Sequence, residues 1–150
     1  MAQDSLIARC PQCGVKNRIP AGRTNDQAVC GRCKSRLPLS VLFPEHRVDV
    51  TDATFQREIL DFPGPSIVFF WATWCVYCRQ LMPVFDELSR QFSGRIKFAR
   101  IIMDQNEAMA SHYNVLSAPT LILFKGGREA NRLVGALPKE QLEYHLRALL

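Results

Sequence analysis

Hydrophobic and polar positions alternate between two periods from residue 46 to the end of the chain. The run "SIVFFWA", residues 66–72, is continuously apolar, which is typical of a strand buried on both faces of a sheet. Residues 76–92 then place apolar side chains at helical spacing, and Pro83 is expected to kink this helix. Segments of both kinds recur in the order βαβαβαββα. This order predicts an α/β fold in which helices flank a central mixed sheet.

Shorter segments supply the other elements of this order. Residues 51–60, "TDATFQREIL", are predicted to form the first helix, which Thr51 or Asp52 can cap. Residues 120–135 predict a hairpin around the turn "KGG". The remaining predicted strands and helices are "HRVDV" (46–50), "RIKFARIIM" (95–103), "EAMASHYN" (107–114) and "PKEQLEYHLRALL" (138–150).

Four cysteines near the N-terminus form two Cys-x-x-Cys pairs, "CPQCG" and "CGRCK", which sixteen residues separate. They are Cys10, Cys13, Cys30 and Cys33. Four thiolates at this spacing can close a tetrahedral site, and Gly14 and Gly31 suit the tight turns that direct two sulfurs to one ion. A segment of about 40 residues buries too little surface to fold alone, so a metal would supply the missing stability. The spacing predicts one structural zinc ion, with iron on the same sulfurs or two disulfides as alternatives.

The formal net charge of +5 lies wholly in the N-terminal part of the chain. Residues 1–44 contain seven Lys or Arg residues against two aspartates, whereas residues 45–150 contain twelve residues of each sign. We therefore predict a zinc-ribbon module with its linker at residues 1–44 and a main domain at residues 45–150. The linker is predicted at "LPLSVLFPEH", residues 37–46. A basic module suits an acidic partner, but the lack of aromatic residues before Phe43 disfavours nucleic acid.

The N-terminal segment has no uninterrupted apolar stretch of the kind found in signal peptides or membrane spans. We therefore expect a cytoplasmic protein that has no membrane contact and is a monomer. In a reducing compartment, six cysteines favour metal binding or catalysis over structural disulfides.

The third cysteine pair lies in "WATWCVYCRQLMP", residues 71–83, where the buried strand ends and the long helix begins. Free backbone N–H groups and the helix dipole stabilise a thiolate at such a junction. We expect Cys75 to expose its sulfur and to attack a disulfide, and Cys78 to lie nearer the core and to resolve the mixed disulfide. A metal pair is the alternative, but Cys-x-x-Cys supplies only two ligands. The histidines are scattered along the chain, as His46, His112 and His145.

Several segments of residues 46–150 resemble the thioredoxin family. The segment "FFWATWCVYCRQLMP" is similar to the family's strand, Trp-Cys-x-x-Cys motif and kinked helix, and "SAPT" is similar to its loop with a cis-proline. The segments "FKGGR" and "VGALPKEQL" are similar to its last hairpin and C-terminal helix. With the cysteine pairs ahead of them, the whole chain resembles the bacterial thioredoxin 2 type. The resemblance implies a thioredoxin fold and a protein-disulfide reductase without an organic cofactor. Its partners would be disulfide-containing proteins and an electron donor similar to thioredoxin reductase.

The resemblance also implies roles for individual residues. Cys75 would be the nucleophile and Cys78 the resolving thiol. The residues that would line or border the substrate groove are Trp74, Val76, Tyr77, Ala118, Pro119 and Gly135. Pro119 would be in the cis form, and its missing N–H would leave neighbouring backbone free to pair with a substrate strand. The alternative is an ordinary trans proline before a strand.

The two residues between the cysteines depart from the family's usual pattern. Val76 and Tyr77 stand in place of the usual Gly-Pro. Tyr77 has a backbone N–H in the first helical turn, which proline would lack, and this N–H can donate to a thiolate. We therefore predict a lower pKa for Cys75 and a more oxidising couple than in a typical member.

Three further positions also depart from that pattern. Phe69 stands in place of the family's buried aspartate, and Arg100 in place of a nearby lysine. Since neither side chain can transfer a proton to or from the resolving thiol, we predict slower resolution by Cys78 in a stable fold. Ala118 is smaller than the residue usual before the cis-proline, which would open the groove.

We therefore predict an enzyme, a thiol–disulfide oxidoreductase that reduces protein disulfides through the Cys75/Cys78 couple. Two alternatives stay open. One is an oxidase or isomerase with a more oxidising potential. The other is a zinc-dependent binding or holdase module for which the main domain is only a scaffold.

Overall fold

The computed structural model describes residues 5–10, 12–20, 29–36 and 47–150. The predicted linker, residues 37–46, lies outside the described residues, and so does His46. In the described part of the chain, no helix is both long enough and apolar enough to cross a membrane.

The described N-terminal residues form a small module of two cysteine knuckles and a β-hairpin. Strands β1 (Ser5–Arg9) and β2 (Lys16–Pro20) pair antiparallel across the first knuckle. Val29 and Arg36 form an isolated antiparallel bridge across the second. Each knuckle is therefore closed by antiparallel pairing of the residues that flank it.

The two knuckles share one hydrogen-bond pattern. In each, the first cysteine donates its N–H to the carbonyl five residues later and accepts the N–H of the residue four positions later, at 2.8–3.0 Å. The residue four positions after the cysteine has positive φ in both knuckles, 79° at Gly14 and 66° at Lys34. The expectation for Gly14 is confirmed, but the left-handed position of the second turn is Lys34 and not Gly31.

Five strands form the sheet of the main domain, in the spatial order β3-β5-β4-β6-β7. They are β3 (Val48–Asp49), β4 (Pro65–Trp71), β5 (Lys97–Ile102), β6 (Thr120–Lys125) and β7 (Arg128–Val134). Strands β3, β5 and β4 run parallel, whereas β6 is antiparallel to β4, and β7 to β6. The predicted mixed sheet and hairpin are confirmed.

Helical elements flank this sheet in the predicted βαβαβαββα order. They are α1, a single π-helical turn (Gln56–Leu60), α2 (Val76–Gln91), α3 (Glu107–His112) and α4 (Lys139–Leu149). Helix α2 continues through Pro83. A kink at this proline stays a prediction.

Strand β4 is buried on both faces, which explains its continuous apolar run. Ile67 and Phe69 belong to one core with residues of α2 and α4. Val68 and Phe70 belong to a second core with residues of α1 and α3. The alternation of strand side chains thus divides one apolar segment between two helix layers.

Asp52 caps a helix, but not the one that follows it in the sequence. Its carboxylate accepts the N–H groups of Ala108 at 3.2 Å and Met109 at 2.9 Å, in the first turn of α3. The N-cap of α1 is Phe55, which has no side-chain cap. The prediction that Thr51 or Asp52 caps the first helix is therefore wrong, because the fold brings the N-terminus of α3 to Asp52.

Gly127 lies in the turn of the β6–β7 hairpin with φ of 79°. A Cβ at this position would collide with the carbonyl oxygen of Leu60, at the end of α1. The turn "KGG" therefore needs glycine both for its backbone conformation and for close packing on α1.

Candidate functional site

Cys75 and Cys78 form a disulfide at the junction of β4 and α2. Cys75 is the N-cap of α2, with the extended backbone that an N-cap requires, and its Sγ accepts the N–H of Cys78 at 3.1 Å. Their Cα atoms are 5.3 Å apart, within the usual range for a disulfide. The sulfur of Cys75 thus lies at the positive end of a sixteen-residue helix, as the sequence predicted.

Both cysteines are buried in this disulfide form. Cys75 is 4% exposed and Cys78 is 0% exposed. The order of exposure is as predicted, but the expectation of an exposed Cys75 is wrong, because the disulfide closes the pair into the core cluster that contains α2. The three neighbouring residues are exposed instead: Trp74 by 68%, Val76 by 62% and Tyr77 by 64%.

The loop before β6 reaches the same edge of the sheet. The Ala118–Pro119 bond is cis, as the resemblance implied. Thr120 pairs with Phe70 near the end of β4, so Pro119 lies beside the strand that leads to Cys75. Gly135, with φ of 95°, donates its N–H to the carbonyl of Pro119 at 2.9 Å. The structure therefore brings Pro119 and Gly135 together at the carboxyl end of β4.

Two exposed apolar side chains near this loop were not predicted. Leu116 is 92% exposed and lies three residues before Pro119. Val134 is 60% exposed and pairs with Thr120 across the hairpin. An isolated leucine in the polar segment "NVLSAPT" is the signal that points to Leu116, whereas Val134 follows the ordinary alternation of a strand.

Phe69 is fully buried in the core cluster that contains both active-site cysteines. Its ring lies 5.2 Å from the ring of Phe85 in α2, in an edge-on arrangement. Among the described residues, the buried polar or charged side chains do not include an aspartate or a glutamate. The described core thus contains no carboxylic acid that would exchange a proton with Cys78.

Arg100 is adjacent to Phe69 in the register of β4 and β5. Its guanidinium forms an ion pair with Asp49 and lies 5.3 Å from the centre of the Trp71 ring. One of its nitrogens lies 3.4 Å from the sulfur of Met82 in α2. Arg100 therefore places a permanent positive charge beside the end of β4.

The loop that leads to Cys75 is bonded to two other parts of the domain. Thr73 donates its Oγ1–H to the carboxylate of Asp104 at 2.8 Å, and its N–H to the same carboxylate at 3.3 Å. Arg79 Nη2 donates to the carbonyl of Thr73 at 3.1 Å. The hydrogen bonds from Thr73, its hydroxyl first, hold the pKa of Asp104 below its usual value. Sequence reasoning missed these residues, since nothing local distinguishes them from surface polar residues.

The four N-terminal cysteines converge on one point, with all their sulfurs within 4.8 Å of one another. Cys10 and Cys33 sulfurs are 3.5 Å apart, and Cys13 and Cys30 sulfurs are 3.6 Å apart. A tetrahedral zinc ion with Zn–S bonds of about 2.3 Å requires sulfurs about 3.8 Å apart. The donor set and its spacing therefore fit a tetrahedral metal ion.

Hydrogen bonds within this cluster favour the thiolate at Cys30 and Cys33 but not at Cys13. Backbone N–H groups, that of Cys33 first, lower the pKa of Cys30 to about 6. Hydrogen bonding to Ser35 lowers the pKa of Cys33. A backbone hydrogen bond from Val15 lowers the pKa of Cys13, but desolvation and the three neighbouring thiols together raise it to about 11. Four thiolates at this distance repel one another unless a cation lies between them.

No other cluster of metal-ligating side chains occurs in the residues that the structure describes. His112 packs against Tyr113, and His145 contacts Asn131 and Tyr144. Within the described part of the chain, Cys75 and Cys78 therefore do not belong to a group of three or more metal-ligating side chains. A strand-to-helix junction with a buried disulfide in a mixed α/β sheet defines the class of thiol–disulfide oxidoreductases.

Comparison with known proteins specifies the family. The family model described as "Thioredoxin" matches residues 46–148, and the model described as "Thioredoxin 2, N-terminal" matches residues 9–35. The chain is 46% identical to "Thioredoxin 1" of Nostoc sp. over 101 residues. The aligned residues make up 65% of this chain and 94% of that protein. It is 42% identical over 104 residues to "Thioredoxin" of Pseudomonas aeruginosa. That alignment includes 69% of this chain and 96% of the Pseudomonas protein. The chain belongs to the thioredoxin family, and its N-terminal module is the zinc ribbon of the thioredoxin 2 type.

Proposed function

We propose that this oxidoreductase reduces disulfides in protein substrates, with Cys75 as the nucleophile and Cys78 as the resolving thiol. The observation that carries this assignment is the position of Cys75 Sγ, which accepts a backbone N–H at the start of α2. The same donor and the helix dipole would stabilise the Cys75 thiolate after reduction. Cys78 is fully buried, so it reaches Cys75 more readily than a substrate.

The reaction consists of two exchanges. The Cys75 thiolate forms a bond to one substrate sulfur, and the other substrate sulfur leaves with the electron pair of the broken S–S bond and takes up a proton. The Cys78 thiolate then forms a bond to Cys75 Sγ, and the first substrate sulfur leaves in the same way. The substrate gains two electrons and two protons, which the Cys75/Cys78 couple loses. An electron donor similar to thioredoxin reductase would return them.

We assign the substrate groove to the apolar surface around the disulfide. Its proposed residues are Trp74, Val76, Tyr77, Ala118, Pro119 and Gly135. The exposure of the first three supports this assignment, since large apolar side chains at the surface mark contact sites. Pro119 has no backbone N–H to donate, and the carbonyl of Pro119 already accepts the N–H of Gly135. Pairing with a substrate strand would therefore use the backbone of Ala118.

Reduction of insulin, with dithiothreitol as the electron source, tests the assignment of the two cysteines. The wild-type protein should accelerate insulin precipitation, and Cys75→Ser should abolish this acceleration. Cys78→Ser should instead accumulate a mixed disulfide between Cys75 and insulin, visible by mass spectrometry. An absence of Cys75-dependent turnover would favour the rival function, a zinc-dependent binding or holdase module on a thioredoxin scaffold.

We propose that the N-terminal module, residues 1–44, binds one structural zinc ion through Cys10, Cys13, Cys30 and Cys33. The sulfur spacing supports zinc, and iron on the same sulfurs is the alternative. A tetrathiolate zinc supplies folding stability and has no open position for chemistry. The main domain, residues 45–150, would then carry out the reaction without an organic cofactor.

We also propose that the protein is cytoplasmic and acts as a monomer, without binding nucleic acid or membrane. The reducing cytoplasm keeps thiols available for metal binding, which suits four free cysteines in one cluster. In the described residues of the zinc ribbon, charged side chains are cationic and aromatic side chains are absent. This composition suits an acidic protein surface better than stacked bases.

A further inference from the structure

The segment between β4 and α2, residues 72–75, contains both buried and exposed residues. Ala72 and Cys75 are buried, whereas Trp74 is exposed. The turn of this segment is closed by one backbone bond, from the N–H of Cys75 to the carbonyl of Ala72, at 3.2 Å.

Cys75 is also bonded to α2, since its Sγ accepts the N–H of Cys78 and its carbonyl accepts the N–H of Arg79. Thr73 donates its hydroxyl and its N–H to Asp104, and its carbonyl accepts from the side chain of Arg79. Thr73 is thus bonded through three of its polar groups.

The partners of Thr73 belong to two different elements. Asp104 follows β5, and the N–H of Met103 donates to the carbonyl of Trp71 at 2.8 Å, which extends the β4–β5 pairing to this point. Arg79 belongs to α2 and follows Cys78 directly. The contacts therefore tie the segment before Cys75 to the sheet on one side and to the helix on the other.

The contacts of Thr73 matter unequally in the two redox states. In the disulfide form, the covalent bond to Cys78 keeps Cys75 at the start of α2. In the dithiol form this bond is absent, and the position of Cys75 depends on its noncovalent neighbours. Contacts that fix the segment before Cys75 therefore stabilise the dithiol form more than the disulfide form.

We propose that Thr73 is a positioning residue for Cys75, which it keeps at the N-terminus of α2 in the dithiol form through its bonds to Asp104 and Arg79. This inference rests on the proposed role of Cys75 as the nucleophile. Asp104 is a strong acceptor for this purpose, since its carboxylate is ionised at neutral pH and accepts two hydrogen bonds from Thr73.

Thr73→Val tests the proposal, because valine keeps the shape of threonine and removes the Oγ1–H. We expect the dithiol form to become less favoured by about fivefold, the effect of one modest hydrogen bond. This corresponds to a potential about 20 mV more negative for a two-electron couple. The second-order rate of insulin reduction should fall by a similar factor, because Cys75 is less often aligned for attack. The variant would therefore have a more negative potential and yet reduce insulin more slowly. A weaker thermodynamic driving force cannot explain the slower rate, because the more negative potential makes the reduction more favourable.

Two control variants separate positioning from general stability. Thr73→Ser keeps the hydroxyl and should restore the potential and most of the rate. Thr54→Val removes a similar hydrogen bond, between Thr54 Oγ1 and the N–H of Thr51 at 2.9 Å, away from the active site. It should lower the stability to urea without moving the potential.

The proposal is overturned if Thr73→Val keeps both the wild-type potential and the wild-type rate. It is also overturned if Thr54→Val shifts the potential by the same amount, or if Thr73→Ser behaves like Thr73→Val. Failure of the proposed function gives a different result, since the wild-type protein would then show no Cys75-dependent reduction of insulin.

Discussion

Val76 and Tyr77 lie between the two active-site cysteines, where their backbone N–H groups can affect the stability of the Cys75 thiolate. They are the first two residues of α2, where backbone N–H groups have no acceptor inside the helix. The N–H of Cys78 already donates to Cys75 Sγ, and Tyr77 adds a second N–H nearby that proline would lack. These donors favour the thiolate and therefore the dithiol form of the couple.

The double change Val76→Gly with Tyr77→Pro should make the couple less oxidising. Removing one N–H donor from the first turn should disfavour the dithiol by about tenfold, or about 30 mV toward more negative potential. Equilibration with glutathione, followed by mass spectrometry, measures this shift. Val76→Gly alone keeps the N–H of Tyr77 and is the matched control. An unchanged potential in the double variant would refute our hypothesis for this pair.

Phe69 offers a second test at the residue scale. It fills the position of a buried acid with an aromatic ring that packs on Phe85. Phe69→Asp should speed the decay of the mixed disulfide in stopped-flow experiments, because a carboxyl group near Cys78 can exchange its proton. The same change should lower the free energy of unfolding by about 3 kcal/mol or more, through lost packing and a buried polar group.

Phe69→Asn is the matched control for this experiment. Asparagine has nearly the shape of aspartic acid and should cost similar stability, but it does not exchange a proton. Equal decay rates in the wild type and Phe69→Asp would contradict the predicted role of proton transfer. A faster decay in Phe69→Asn would attribute the effect to loosened packing instead.

The elements of the main domain depend on contacts that cross long stretches of sequence. Helix α3 has six residues and its N-cap residue, Asn106, makes no side-chain cap bond. Asp52 supplies the missing acceptors from a loop before α1. In return, Asn106 Oδ1 accepts the N–H of Asp52 at 2.9 Å. This reciprocal pair links the start of α1 to the start of α3.

Asp52→Ala should therefore destabilise α3 by about 1–2 kcal/mol, the usual cost of a lost N-cap. Hydrogen exchange of the α3 amides should become faster, and the midpoint of urea unfolding should fall. Thr51→Val is the control, because the hydroxyl of Thr51 contacts the hydroxyl of Thr54 at 3.4 Å, just before α1, whereas the carboxylate of Asp52 caps α3. Faster exchange confined to α1 after Asp52→Ala would contradict the capping of α3.

At the scale of the whole molecule, the two modules have different sources of stability. The two core clusters of the main domain consist of residues between Val50 and Leu149. Burial in the zinc ribbon is described for residues 10, 12–18 and 29–36, and among these the buried residues are Cys10 and Cys30. We therefore expect the N-terminal module to need its proposed metal ion to fold, whereas the main domain has its own apolar core.

Removal of the metal with a strong chelator should release one equivalent of zinc per chain and unfold the N-terminal module. Amide signals of residues 29–36 should collapse in NMR spectra, while those of the sheet should stay dispersed. Insulin reduction through Cys75 should persist, since neither exchange uses the ion. Unfolding of the main domain upon metal loss would show that its stability depends on the ribbon. Iron in the released metal would correct the assignment of zinc.

Local periodicity by itself determines the secondary structure of much of this protein. The continuous run of β4, the helical spacing of α2 and the hairpin turn are properties of neighbouring residues, so the sequence alone predicted the order of elements. The two kinds of cysteine pair were distinguishable for the same reason. Two pairs lie close enough to form one site, and the third lies at a strand-to-helix junction.

The tertiary structure alone decided which distant groups meet. Asp52 accepts hydrogen bonds from residues more than fifty positions away, and Thr73 bonds to Asp104 thirty-one positions away. The burial of Cys75 is of the same kind, because it depends on how the disulfide packs into the core. A propensity acts between neighbours in the chain, whereas the partner of a side chain is set by the path of the whole chain. For this reason the sequence predicted the redox pair, and the fold decided which distant groups contact the loop before Cys75.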